Sequence, residues 1–163
     1  MTQHSSDAVA HMSLTPPEQG ESLRAGPVIH RVLQDGKDVA GRFAVLECRM
    51  PPGWPGPPQH VHREHDEAFF VLAGQVRFTS AQTIEVAAPG TLVTIPADVP
   101  HTFGNADEEH PASLICTVTP GRYVDYFRDL EQLQAGPDGL LQPQQIVELM
   151  TRYATEPWAA QQS

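Results

Sequence analysis

A chain of 163 residues with 40% hydrophobic and 18% charged residues has the length and balance of one ordinary globular domain, which excludes a long disordered or fibrous polypeptide. Ten Lys+Arg stand against twenty Asp+Glu for a net charge of -10, and the basic residues, nine arginines and Lys37, are scattered. That excludes the concentrated positive surface by which nucleic acids and anionic membranes are held. No window approaches the roughly 20 apolar residues that cross a bilayer. The opening MTQHSSDAVAHMSLTPPEQGES lacks the basic and apolar regions of a secretion signal, so a cytoplasmic protein is expected.

Residues 1–26 are rich in Ser, Thr, Gln, Pro and Gly without a sustained period and read as a flexible or draped arm. From Val28 the texture changes. VIHRVLQ (28–34), RFAVLECRM (42–50), EAFFVLAG (67–74), QVRFTS (75–80), TIEVAA (83–88), TLVTIP (91–96), HTFGN (101–105) and SLICTVT (113–119) are short runs rich in Val, Ile, Phe and Thr. Gly, Pro, Asp and Asn punctuate them, and no helical period intervenes. This predicts an all-β, antiparallel sandwich or barrel over residues 27–120. Cys48 and Cys116 sit inside apolar runs with neither disulfide nor thiolate-metal spacing, and read as buried thiols.

Beyond Gly121 the period lengthens. Tyr123, Tyr126, Phe127, Leu130 and Leu133 fall three and four apart, as one face of a helix requires, and this stripe is expected to dock on the outer barrel or on a second subunit. GPDG (136–139) breaks the chain, and PQQIVELMTRYA starts a second helix near Pro143, so residues 121–163 read as a helical extension with two short helices.

The chemistry concentrates after the proline-rich stretch MPPGWPGPPQH (50–60), whose stiffness holds the adjoining histidine-rich segment at a fixed angle. His60 and His62 are two apart on a strand and therefore point the same way. Glu67 is at an odd offset from them, but the polar residues 63–66 form a natural bend, after which Glu67 can face the same interior. His101 begins a later short strand after a turn stiffened by Pro96 and Pro100. Three imidazoles and one carboxylate suit one divalent transition metal ion (Fe, Mn, Co, Ni, Cu or Zn) and would leave positions open for catalysis. By strand phase, Phe69 and Val71 accompany Glu67 and Phe103 accompanies His101, so all three are expected to line the cavity. Trp54 is placed near its mouth; Phe43 and Cys48 have opposite parity and cannot both face inward. His65 reads as part of the polar bend and Asn105 as a turn former, while His4, His11, His30 and His110 read as bystanders.

These two stretches resemble the paired motifs of the cupin superfamily. The register of His60, His62, Glu67 and Gly74 matches the first motif, and that of Gly90, Pro96, His101 and Asn105 the second, with a fifteen-residue spacing between Gly74 and Gly90. Asp98 stands where the second motif prefers glycine; Asp tolerates the left-handed conformation better than most residues. The resemblance implies an antiparallel double-stranded β-helix, or jelly-roll cupin barrel, with His60, His62, Glu67 and His101 as metal ligands. HVHREHDEAFFVLAGQVRF, APGTLVTIPADVPHTFGN and TPGRYVDYFRDLEQL further resemble small single-domain cupins described as quercetin 2,3-dioxygenase-like. This implies a dioxygenase that brings O2 to a small aromatic or enolic substrate such as a flavonol, with Glu67 as both ligand and catalytic base. A hydrophobic barrel is expected to raise the Glu67 pKa toward that task. A non-enzymatic small-molecule sensor and a metal-dependent isomerase or decarboxylase are the alternative expectations. No nucleic-acid or membrane partner is expected. A homodimer is, from the resemblance and from sheet edges that need covering.

Overall fold

The alternation in the sequence becomes eleven strands in the computed structural model, which describes residues 12–133 and 142–159. In chain order they are β1 (Glu21–Ala25), β2 (Val28–Gln34), β3 (Ala44–Met50), β4 (His60–His62), β5 (Asp66–Ala73), β6 (Val76–Ser80), β7 (Thr83–Ala87), β8 (Leu92–Ile95), β9 (Thr102–Asn105), β10 (Ala112–Thr119) and β11 (Thr155–Pro157). Two helices, α1 (Val124–Gln132) and α2 (Pro143–Arg152), fall where the apolar stripes predict them. The predicted break at 136–139 and the N-terminal residues 1–11, with His4 and His11, lie outside the described residues.

One sheet runs β1-β2-β3-β10-β5-β8, a second β7-β6-β9, and β11 pairs with β4; every pairing is antiparallel. His60 and His101 exchange both backbone hydrogen bonds at 2.9 Å, which joins β4 to the start of β9 and so extends the smaller sheet. The two sheets face each other as a double-stranded β-helix. Inward residues of β5, β6 and β10 fill it: Phe69, Val71, Val76 and Leu114 are fully buried. β10 alternates strictly, burying Ala112, Leu114, Cys116 and Val118, as a strand with one wet face must. Among the described residues no helix is long and apolar enough to cross a membrane.

Two boundaries differ from the sequence reading. The segment read as an arm, 1–26, contributes β1 to the sheet edge, with Leu23 buried. ESLRA carries a single inward apolar residue, too little to show alternation, and its place is secured by pairing with β2. Residues before it drape along the same strand: the Thr15 hydroxyl donates to the Leu33 carbonyl at 2.7 Å, and Arg31 donates to the Gln19 carbonyl at 3.0 Å. Likewise the extension read as helical, 121–163, contains β11, a strand of only three residues that exists because β4 offers it an edge.

The proline-rich loop is seated against β9 by missing side chains. A Cβ on Gly56, at φ 91°, would lie 2.0 Å from the Phe103 carbonyl oxygen, and one on Gly104 would lie 2.7 Å from Pro55. Only glycine permits that approach. The loop therefore delivers His60 rigidly. Asp98, at φ 67°, adopts the left-handed conformation expected at its position.

Candidate metal centre

Each ligand candidate is placed by a short, pinned piece of backbone. β4 holds His60, Val61 and His62, all buried, and the chain bends at 63–65 before Glu67 opens the inward phase of β5. The bend is tied down by three hydrogen bonds: Asp98 N–H to the His62 carbonyl (2.8 Å), Arg63 N–H to the Ala154 carbonyl (2.8 Å), and Ala97 N–H to Asp66 Oδ1 (2.8 Å). The bend thus brings Glu67 to the same interior as the two histidines, as the sequence predicts. Ligand atoms of His60, His62 and His101 all lie within 4.8 Å of one another. His101 Nε2 is 2.9 Å and His62 Nε2 3.3 Å from Glu67 Oε2.

The donor set fits a cation. His60 Nδ1 is 2.9 Å from the Pro58 carbonyl and His101 Nδ1 is 3.0 Å from the Val99 carbonyl. A carbonyl only accepts, so each Nδ1 carries the hydrogen and each Nε2 is left as the free donor. In neutral His101 this turns a lone pair toward the Glu67 carboxylate, an arrangement that a shared proton or a shared metal cation satisfies. His62 Nε2 is buried and makes no hydrogen bond. An orphaned imidazole nitrogen beside a buried carboxylate is costly in a metal-free core and is what a coordination sphere provides. His60, His62, His101 and Glu67 are therefore the residues that would hold a divalent transition ion.

Burial disfavours the Glu67 carboxylate, but the field of His62 and the contacts from His101, His62 and His65 outweigh it and hold the group well below the usual carboxylate range. The expectation of a raised value is corrected: the barrel interior is apolar, yet the imidazoles of His62, His65 and His101 gather around the carboxylate there. Burial likewise opposes charge on His101, and the Glu67 carboxylate outweighs it and holds the imidazole above its ordinary value.

A cavity of about 310 Å³ opens beside these residues, and its wall is almost entirely carbon. Phe69 and Phe103 line it, with Trp54 and Cys48. Val71 does not: it shares the phase of Phe69 but packs fully buried in the core away from the opening. Phe43 stays out, which settles the parity conflict in favour of Cys48. Both thiols are buried and free, and burial pushes each of them up. Asn105 bridges loops, donating to the Pro51 and His110 carbonyls and accepting from Asp107 N–H, in keeping with a turn role.

Three features go beyond the sequence reading. The aromatic stripe of 123–133 does not pack outside the barrel; Tyr123, Tyr126, Phe127 and Leu130 line the cavity, closed further by Ile146 and Met150 of α2. The cause is topological, because Val118 of β10 pairs with Glu67, so the residues just after β10 fall at the ligand end of the barrel. His65 is buried rather than solvated, sandwiched between His62 (ring centroids 3.8 Å) and Tyr123 (4.0 Å), with Nε2 3.8 Å from Glu67 Oε1. It could serve with His62 and Glu67 as a ligand.

His30 is the third. It lines the cavity against Phe127, with ring centroids 4.4 Å apart and Nδ1 buried without a partner. Its inward phase between Val28 and Val32 was legible in VIHRVLQ. Burial lowers its pKa from the ordinary 6.5 to about 4. The unfolded chain therefore binds a proton that the folded one refuses between those values. Stability is complete above about pH 6.5 and falls as pH drops, by ~3 kcal/mol at pH 4 from this residue. The melting temperature of His30→Leu is expected to fall less than that of the wild type between pH 7 and 4.5; parallel curves would refute the assignment.

A double-stranded β-helix here carries three imidazoles and a carboxylate that could hold a metal ion at the mouth of an apolar cavity. Residues 46–118 match the cupin domain family model. It is 29% identical over 113 residues to quercetin 2,3-dioxygenase of Bacillus subtilis, an alignment covering 69% of this chain but only 32% of that protein. Among solved structures it resembles an RmlC-like cupin from Shewanella frigidimarina (TM-score 0.59, 20% identity, 71% of this chain and 96% of the other). It also resembles hydroxypropylphosphonic acid epoxidase from S. wedmorenis (TM-score 0.57, 18% identity, 65% of this chain and 58% of the other). The two structural likenesses concern the fold.

Proposed function

We propose that the protein is a metal-dependent dioxygenase whose substrate is a small planar aromatic or enolic molecule such as a flavonol. One observation carries this: the ligand set opens onto a carbon-lined cavity faced by Phe69, Phe103, Tyr126 and Phe127, a slot for flat aromatic rings beside a metal. The quercetin 2,3-dioxygenase relative supports the same reading. When bound, the divalent ion supplies Lewis acidity toward a substrate hydroxyl and redox access to O2.

The chain's residues supply the rest. Glu67 Oε2 is taken by His101, whereas Oε1 has only the Cys116 thiol at 4.0 Å and His65 Nε2 at 3.8 Å. Oε1 is therefore the atom that receives the substrate hydroxyl proton, and with its pKa held low the carboxylate is unprotonated at neutral pH. Residues of α1 and α2 cover the ring-binding wall and would keep water from a bound ring. The test is O2 consumption by protein loaded with Fe, Mn, Co or Ni across a panel of flavonols and related enols. Metal-dependent uptake is expected; binding without uptake under every loading would overturn the reading in favour of a sensor.

We further propose a homodimer formed through the outer face of the large sheet. Phe70 and Leu92 are a cross-strand pair and, with Leu72, are 42%, 62% and 43% exposed next to the edge strand β8. Sedimentation at micromolar concentration should give twice the chain mass, and a monomer there would refute it.

A further inference from the structure

β11 lies outside the segment that matches the cupin domain model, yet it is hydrogen-bonded along the strand that carries two of the candidate ligands. The antiparallel register sets Thr155 directly opposite His62, and residues directly opposite in such a pair project to the same face. Thr155 is 1% exposed, and its Oγ1 lies 2.8 Å from His62 Nδ1. The same hydroxyl donates to the Tyr153 carbonyl at 3.2 Å. A threonine hydroxyl has one hydrogen. With that hydrogen on the Tyr153 carbonyl, which can only accept, the Thr155 oxygen is left as the acceptor toward His62. His62 must then present Nδ1–H, which leaves a lone pair on Nε2.

We propose that Thr155 is a positioning residue for the metal centre: its hydroxyl, oriented by the Tyr153 carbonyl, fixes the tautomer and ring angle of His62 so that Nε2 faces the ion. This rests on the metal-binding reading above. The backbone of β11 supports the same end, since Trp158 N–H donates to the Gln59 carbonyl at 2.9 Å and Arg63 bonds Glu156 across the pair. His60 and His101 use carbonyls of their own neighbouring loops for this purpose. His62 alone among the three depends on a side chain 93 residues away.

The experiment compares wild type, Thr155→Val, which keeps the shape and removes the acceptor, and Thr155→Ser, which keeps the acceptor. Two readings are taken: the His62 tautomer in metal-free protein, from two-bond 1H–15N imidazole correlations, and Co(II) affinity from its visible absorption. Wild type and Thr155→Ser should show His62 protonated at Nδ1, with Co(II) affinities within a few-fold of each other. Thr155→Val should lose the tautomer preference and bind Co(II) about 10- to 100-fold more weakly. An Nε2–H tautomer in the wild type, or a valine variant unchanged in both readings, would overturn the proposal. Should Thr155→Val fail to fold, Thr155→Ala replaces it, and the wild-type spectrum decides independently. If wild type takes up no Co(II), the metal-binding reading fails, whereas the tautomer comparison still decides the role of Thr155.

Discussion

Replacing His62 by alanine is expected to strip the metal from the protein: elemental analysis of untagged wild type should find close to one divalent transition ion per chain, and the variant at least about tenfold less. His62 is singled out because it sits between the other donors. It shares one tight donor set with His60 and His101 and another with His65 and Glu67, so its removal breaks both. His60 and His101 cannot shift to fill its place, since each is fixed by a backbone carbonyl. Folding should survive, because the β4 backbone keeps its bonds to β11 and to His101. An unchanged metal content in a folded His62→Ala protein would remove the centre from consideration.

The second large effect is expected at Glu67. Glu67→Gln preserves shape and most contacts while removing the negative charge and the proton-accepting oxygen. Flavonol-dependent O2 uptake should fall by about 10²- to 10⁴-fold, the range over which a positioned base contributes. Measuring each protein at matched metal occupancy separates the base from the ligand role. Activity that recovers fully once the variant is reloaded with metal would assign Glu67 to coordination alone; activity that stays lost at full occupancy assigns it the proton.

Much of this was legible in the sequence because it is local. The alternation in ASLICTVT is a property of eight neighbouring residues in β10, and the bend between His62 and Glu67 needs only the polar residues 63–66 to be read. The left-handed Asp98 follows from its own side chain. What escaped was set by partners distant along the chain. β1 and β11 have too little pattern of their own and are strands because β2 and β4 present edges to them. His65 looks like a solvated bend residue until Tyr123, 58 positions on, covers it. The low pKa of Glu67 likewise could not be read from the apolar character of the barrel, because it arises from imidazoles gathered from two strands and a bend.

The pairing of β4 with β11 also bears on biosynthesis. All four candidate ligands and nearly the whole barrel leave the ribosome before Thr155 does. A nascent chain that has already closed its two sheets still holds His62 without its hydroxyl partner. On the proposed role of Thr155, full affinity for an ion would arise only after β11 is released, so that a product stalled or clipped before Thr155 would hold metal poorly.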